Sequence, residues 1–378
     1  MKRLGAILGA AVLGLGLVTA CAAPDGSATG SAEHKSVGVA LAAAPIAGPD
    51  PLFSQVSSRY RQDLALTLAS LASVATAADT TRTALVNLGV DPKDISTYNY
   101  LSMSSSTANK VAYVLAHKTV VDQGSVYALV YVIVRPTLGG EWYSNFNIGQ
   151  GTDHAGFAGA EAEVLRSLDA YMSAKKLTNT AENKIVITGH SRGAAVGNLL
   201  AADLTKSQRH AVKDNVYAYT FATPNTTKSA EAKNVAAYDN IFNFVRSNDF
   251  YTGMLADWGF GKYGVTLTNA DPLDGDATVD GAVAAFGQLA PDVHAYYNTK
   301  YPTVFLGIKM TPATYFEQVA GAWSGNLMGM VAVNSLWNDP VYGAMTNFLL
   351  KDMNRTNHAM TTYYSWVEST PYAGFRQC

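Results

Sequence analysis

The sequence predicts an α/β protein: a mostly parallel central sheet with helices on both faces. Two observations carry that expectation. Between about residue 110 and Asp249, β-branched and aromatic runs alternate with segments of helical character, the rhythm of strand–helix–strand units. Several of these runs are apolar throughout rather than at every second position, as strands buried on both faces must be.

The chain has 378 residues, formal net charge -2, 15% charged and 48% hydrophobic residues. That is enough apolar material for a large core, in two domains or in one elaborate one. The near-neutral balance and the lack of a basic stripe argue against nucleic acid as a partner. There is no paired CxxC or other metal-ligand run, and no cofactor or metal is expected.

The elements follow in order. Lys2 and Arg3 precede the apolar run "LGAILGAAVLGLGLV" and then Val18-Thr19-Ala20-Cys21, the layout of an export signal over 1–20. The cysteine at the cleavage point resembles the lipobox of bacterial lipoproteins, which implies cleavage before Cys21 and acylation there. An uncleaved membrane anchor is the other reading. With Cys21 acylated, Cys378 has no partner, and no intramolecular disulfide is expected. Residues 21–50, rich in Ala, Gly, Ser and Pro, read as a flexible tether. The remaining 51–378 read as one domain.

Apolar residues at helical spacing (Leu64, Leu66, Leu68, Leu71, Val74) predict a first helix. "TTRTALVNLGV" predicts a second, closed by Gly89. "KVAYVLAHKTV" and "SVYALVYVIV" read as strands, the second a central one. "HAGFAGAEAEVLRSLDAYMSAKK" reads as a long helix, "KIVITG" as a buried strand and "GAAVGNLLAADL" as a helix. "VYAYTFATPN" and "NIFNFVRSND" are two further strands. After Asp249 the rhythm breaks, and about 251–350 reads as an insertion rather than a separate domain.

The chemistry centres on Gly189-His190-Ser191-Arg192-Gly193, between the "KIVIT" strand and the "AAVGNLL" helix. A serine on so tight a strand-to-helix turn is a nucleophile elbow: glycines two before and two after let the backbones approach, and the hydroxyl stands at a helix N-terminus. An ordinary tight turn with an incidental serine is the competing reading. A serine needs a base, and the base needs an orienting acid, in the chain order Ser, acid, His. His34, His117, His154 and His190 precede the serine, and His210 precedes any candidate acid. His358, just before a terminal helix with Met360, Tyr363, Tyr364 and Val367 inward, is favoured over His294 in the insertion. Asp249 is the favoured acid because it follows the apolar strand Ile241–Val245. Asp239 lies at the opposite end of that strand and Asp257 in the insertion. The oxyanion donors are expected from the amide of Arg192 and from Thr137, after the strand ending "VIVRPT".

Together these residues resemble the class 3 lipase family, the fungal-lipase-like branch of α/β hydrolases, over about 110–255 plus the terminal His segment. "IVITGHSRGAAVGNLLAADL" resembles the family's elbow and "VIVRPT" its oxyanion segment. "HAGFAGAEAEVL" is similar to its helix entry, "VYAYTFATPN" to its Thr-Phe strand, "FVRSNDF" to its acid segment and "NHAMTTYYSW" to the His segment of bacterial relatives. Pro136 stands where the family usually has glycine, and the stretch from Asp249 to His358 is longer than usual. "FGQLAPDVHAYY", "YFEQVAGAW" and "NLMGMVAV" read either as a cap suited to acyl chains or as the insertion's own core.

The resemblance implies an α/β-hydrolase fold and a serine esterase or lipase with Ser191, Asp249 and His358 as triad. Such a protein would be exported and lipid-anchored to the bacterial cell membrane or outer membrane, a monomer acting on ester or lipid substrates. An acyltransferase with the same triad, and a non-catalytic lipoprotein binding module on the same fold, stand as alternatives.

Overall fold

The computed structural model describes residues 51–100, 109–122, 124–138, 141–145, 147–246, 249–253, 255–256, 259–268 and 358–377. The expected signal segment, Cys21, the tether, Asp257, His294, the cap segments and Cys378 lie outside them.

Among the described residues, eight strands form one sheet in chain order. They are β1 (Ile95–Tyr98), β2 (Tyr113–Asp122), β3 (Ser125–Val134), β4 (Asn183–His190), β5 (Val216–Phe221), β6 (Ile241–Val245), β7 (Val265–Thr268) and β8 (Arg376–Gln377). From β3 to β7 neighbours run parallel, while β1–β2, β2–β3 and β7–β8 are antiparallel. β7 lies inside the stretch the sequence reading gave to the insertion. It makes the fourth parallel pairing of the main sheet. The reading missed β7 because four residues carry almost no periodic signal. The short edge strands β1 and β8 were not anticipated either.

Side chains alternate between the two faces and feed two cores. On β3, Leu129, Tyr131 and Ile133 face one core, and Val130, Val132 and Val134 the other. The first core is closed by helices α1 (Gln62–Val74) and α2 (Ala78–Asn87) and by the C-terminal helix, here α7 (Met360–Ser369). The second is closed by α4 (Ala155–Ala174) and α5 (Arg192–Ser207). This is the α/β-hydrolase arrangement. Along α1 the buried Leu64, Leu68 and Leu71 recur at one-turn spacing. In α7 Met360, Tyr363 and Val367 do the same, which seats that helix against the sheet. α2 ends as expected, with Gly89 at φ 84° and Val90 N–H returning to Leu85 O at 3.0 Å. Two short helices, α3 (Glu141–Asn145) and α6 (Phe250–Gly253), follow β3 and β6.

The register decides where the site lies. Val134 is level with Gly189, Gly189 with Thr220, and Phe221 with Phe244. The loops leaving β3, β4, β5 and β6 therefore emerge at the same edge, the carboxyl ends of the parallel strands, where ligands bind in open α/β sheets. Among the described residues no helix is long and apolar enough to cross a membrane.

Candidate active site

β4 delivers Ser191 directly into α5, and the serine sits at φ 56°, ψ -122°. A non-glycine residue there is strained, and the surroundings must hold it. They do so with backbone. Ser191 N–H donates to Phe221 O at 3.0 Å, and Ser191 O accepts from Ala195 N–H at 3.0 Å. A Cβ on Gly189 would stand 2.5 Å from the Gly193 carbonyl carbon, and one on Gly193 would stand 2.3 Å from Val134 O. Both glycines are thus required by close approach, as the motif predicts, and α5 rests its first turn on the end of β3.

Asp249 and His358, 109 residues apart, meet at this edge. His358 Nδ1–H donates to Asp249 Oδ2 at 2.7 Å, with the aspartate 0% and the histidine 3% exposed. The same Oδ2 accepts from Tyr363 O–H at 2.7 Å, and Tyr251 N–H donates to Oδ1 at 3.1 Å. Arg246 N–H in turn donates to Tyr363 Oη at 3.0 Å. Burial, reinforced by the Asp249 charge, holds the Tyr363 phenol well above its ordinary pKa, so it remains a donor. Burial draws Lys262 down to about 7 while Asp249 works the other way, and its Nζ donates to Thr252 O at 3.0 Å.

His358 is tied to the elbow through its neighbour. His190 Nε2–H donates to His358 O at 2.6 Å, and the two rings lie 4.8 Å apart. Burial, with the His358 charge second, pushes His190 well below the usual imidazole value. It is a neutral strut that adds no positive charge beside His358. The Tyr251 ring packs on the other histidine at 4.5 Å. The sequence reading set His190 aside as a base, and the structure gives it this bracing place instead.

The loop after β3 closes the fourth side. Arg135 and Glu141, both buried, form an ion pair at 3.1 Å, and Leu138 N–H donates to Glu141 Oε2 at 2.5 Å. Thr137 lies between these anchors, with Oγ1 accepting from Asn145 Nδ2–H at 2.9 Å. Arg192 is 1% exposed. Its Nη1 donates to Asn145 Oδ1 at 2.8 Å and its Nη2 to Ser144 Oγ at 2.9 Å. The "HAGF" motif builds the wall behind it. His154 stacks on Phe157 at 3.9 Å, its Nε2–H donates to Asn145 O at 3.0 Å, and a Cβ on Gly156 would stand 1.8 Å from Ser144 O. α3 can therefore lie against α4 only because residue 156 is glycine.

The expected triad and oxyanion residues thus sit on the loops of one sheet edge. Tyr363, Tyr251, Asn145 and Glu141 complete the surroundings and were not singled out from the sequence. Only Tyr363 carried a signal there, as an inward position of a helix. Among the described residues no group of three or more His, Cys, Asp or Glu is placed to hold a metal ion.

Residues 105–257 match the family described as Lipase (class 3). Over 73 residues the chain is 42% identical to a secreted mono- and diacylglycerol lipase 1 of Fusarium solani, covering 17% of this chain and 22% of the relative. Over 126 residues it is 31% identical to a secreted mono- and diacylglycerol lipase A of Penicillium camembertii, covering 30% of this chain and 40% of the relative. The chain therefore spans well under half the length of these curated relatives. A solved lipase structure from Rhizopus microsporus var. chinensis aligns with TM-score 0.41 and 16% identity, over 62% of this chain and 84% of that one.

Proposed function

We propose that the protein is a serine carboxylester hydrolase of the lipase type. The observation that carries this reading is the buried Asp249–His358 hydrogen bond of 2.7 Å, anchored by His190, the residue next to a strained Ser191. Ser191 attacks the ester carbonyl while His358 takes its proton. Asp249, held by Tyr363 and the Tyr251 amide, keeps His358 Nδ1 protonated and stabilises the imidazolium. The Arg192 amide and Thr137 receive the charge on the carbonyl oxygen. His358 returns the proton to the leaving alcohol, and water, activated by the same histidine, then cleaves the acyl-enzyme.

The similarity to secreted mono- and diacylglycerol lipases supports acylglycerols as the substrate class and export as the destination. The lipobox-like Thr19-Ala20-Cys21 supports an acylated Cys21 that fixes the protein to the bacterial cell membrane or outer membrane, with 21–50 as tether. The triad and oxyanion residues named here all come from one chain, and we assign the protein as a monomer.

The test is hydrolysis of chromogenic acyl esters of graded chain length and of mono- and diacylglycerols by the full chain in detergent, beside Ser191→Ala. Activity should fall at least ~10⁴-fold in the variant, and a fluorophosphonate probe should label Ser191. Equal hydrolysis by both proteins would exclude Ser191 as the nucleophile. Cys21→Ala should move the protein from the detergent phase to the aqueous phase on partitioning.

A further inference from the structure

The chain enters the domain at the edge opposite the candidate site. Phe53, fully buried, is held where β4 begins: Lys184, the second residue of that strand, donates through Nζ to Phe53 O at 2.6 Å and to Asp122 Oδ2 at 3.1 Å. Tyr217, second in β5, donates its O–H to Gln55 O at 2.6 Å and meets the Phe53 ring edge-on at 5.4 Å. Ser57 N–H donates to Asp214 O at 2.9 Å and its O–H to Lys213 O at 2.8 Å, in the turn before β5. Residues 53–57 are thus fastened to the amino ends of the parallel strands. Ser191 follows the other end of β4, and at about 3.3 Å per strand residue it lies about 23 Å beyond Lys184.

The same amino edge carries apolar side chains in solvent. Val121 and Val126, paired near the end of the β2–β3 ladder, are 44% and 58% exposed. Val56 and Val212, also exposed, adjoin the residues of the Ser57 bonds. Lying on a lipid surface would take them out of water, which is favourable.

An anchor at Cys21 would meet this edge through residues 21–50, which as a coil span about 30 Å. To bring the catalytic edge onto the same bilayer, those residues would have to pass the flank of a domain about 50 Å across. A coil of that length spans such a distance roughly tenfold less often than it spans 30 Å.

We propose that the anchored protein stands on its own membrane by the amino edge of the sheet and presents the catalytic edge away from it, so that its acylglycerol substrate comes from a second lipid surface rather than from the leaflet that holds Cys21. This rests on the lipoprotein and hydrolase readings above and names the source of the substrate.

The first test is distance. In the full acylated chain with Cys378→Ser, Val126→Cys and Leu138→Cys are each labelled with a fluorophore; both positions are exposed, one on each edge. On phosphatidylcholine vesicles with a headgroup acceptor dye, energy transfer should be several-fold greater from 126 than from 138. Equal transfer, or more from 138, would overturn the proposal. The second test is function. A fluorogenic diacylglycerol is placed in the protein's own vesicles or in separate ones. Diluting the vesicles removes encounters between them and leaves only hydrolysis within one vesicle. That remainder should rise about threefold when about 30 Gly-Ser residues are inserted after Gly30. It should vanish when 26–45 are deleted, because the residues left reach no further than about 35 Å. Hydrolysis of separate vesicles and of a soluble p-nitrophenyl ester should stay unchanged in both variants. Within-vesicle hydrolysis that survives or rises on the deletion would overturn the proposal. Two controls keep the levels apart. If Cys21→Ala still binds the vesicles, the anchor reading falls and this proposal with it. If Ser191→Ala still hydrolyses the ester, the hydrolase reading falls, while the order of energy transfer still decides the orientation.

Discussion

Gly193 and Tyr363 show how much single atoms decide at this edge. A methyl group on Gly193 would have to occupy space 2.3 Å from Val134 O and 2.7 Å from Arg135 O, both backbone atoms that cannot swing aside. Gly193→Ala should therefore push α5 off β3, cost about 1–3 kcal/mol as overpacking does, and misplace the Arg192 amide. Thermal melts and ester turnover should fall together. Tyr363→Phe removes one oxygen and leaves the ring in place. Among the described residues Asp249 Oδ2 then keeps only His358, and a hydrogen bond to a charged acceptor is worth about 1.5–3 kcal/mol. If that support is felt in the transition state, kcat/KM should drop roughly 10- to 100-fold with KM nearly unchanged; a loss confined to KM would show that the tyrosine supports substrate binding instead. The placement of Ser191, Asp249 and His358 at one sheet edge was legible because the order of the three residues and the ends of their strands are sequence properties. The burial of the Arg192 side chain was not. A lone arginine after a motif reads as solvated, and only the meeting of α3 and α4 at Gly156 encloses it.

At the scale of elements, α5 is fixed by polar groups as well as apolar ones. Asn198, fully buried, donates through Nδ2 to Asn243 Oδ1 at 2.9 Å and Tyr263 O at 2.8 Å. Its Oδ1 accepts from Thr226 O–H at 2.9 Å and Tyr263 N–H at 3.2 Å. Thr220 O–H reaches the same Asn243 Oδ1 at 2.9 Å, and Thr223 O–H reaches Thr220 Oγ1 at 2.8 Å. The network joins the elbow helix, β5, β6 and the loop before β7, so it holds Ser191 and Asp249 in one frame. Asn198→Leu matches the volume but strands several buried partners. It should cost about 2–4 kcal/mol, read as a lower urea midpoint with unchanged slope. A cost under 0.5 kcal/mol would show that the network rearranges freely. Propensity and periodicity found the long elements on both sides of this network. They missed α3, β7 and β8 because elements of two to five residues are made by the surfaces they meet rather than by their own pattern.

The whole molecule should be sensitive to acid in a way traceable to named groups. Burial, helped by the nearby Arg192 charge, brings His154 from the ordinary 6.5 to about 3. His190 is depressed too. A folded chain with neutral histidines binds fewer protons than the unfolded chain below pH 6.5, so stability rises with pH there and is lost as pH falls. For His154 the loss runs from 6.5 down to about 3, at about 1.4 kcal/mol per pH unit. Glu161 acts in the opposite sense: burial and Asp203 raise it to about 7, so the folded state takes up a proton first and gains stability as pH falls below that value. The net slope mixes these contributions, and the difference between two proteins separates them. His154→Gln removes a titrating group without touching Glu161. Between pH 6.5 and 5 the variant should lose about 2 kcal/mol less stability than the wild type in urea unfolding. Parallel curves for the two proteins would mean that His154 stays charged in the fold, which its stacking on Phe157 beside a buried guanidinium makes costly. Because His154 also holds Asn145 O, a proton on its second ring nitrogen would place two cations behind the loop that carries Thr137. One side chain therefore contributes both to the acid sensitivity of the fold and to the packing behind the Thr137 loop.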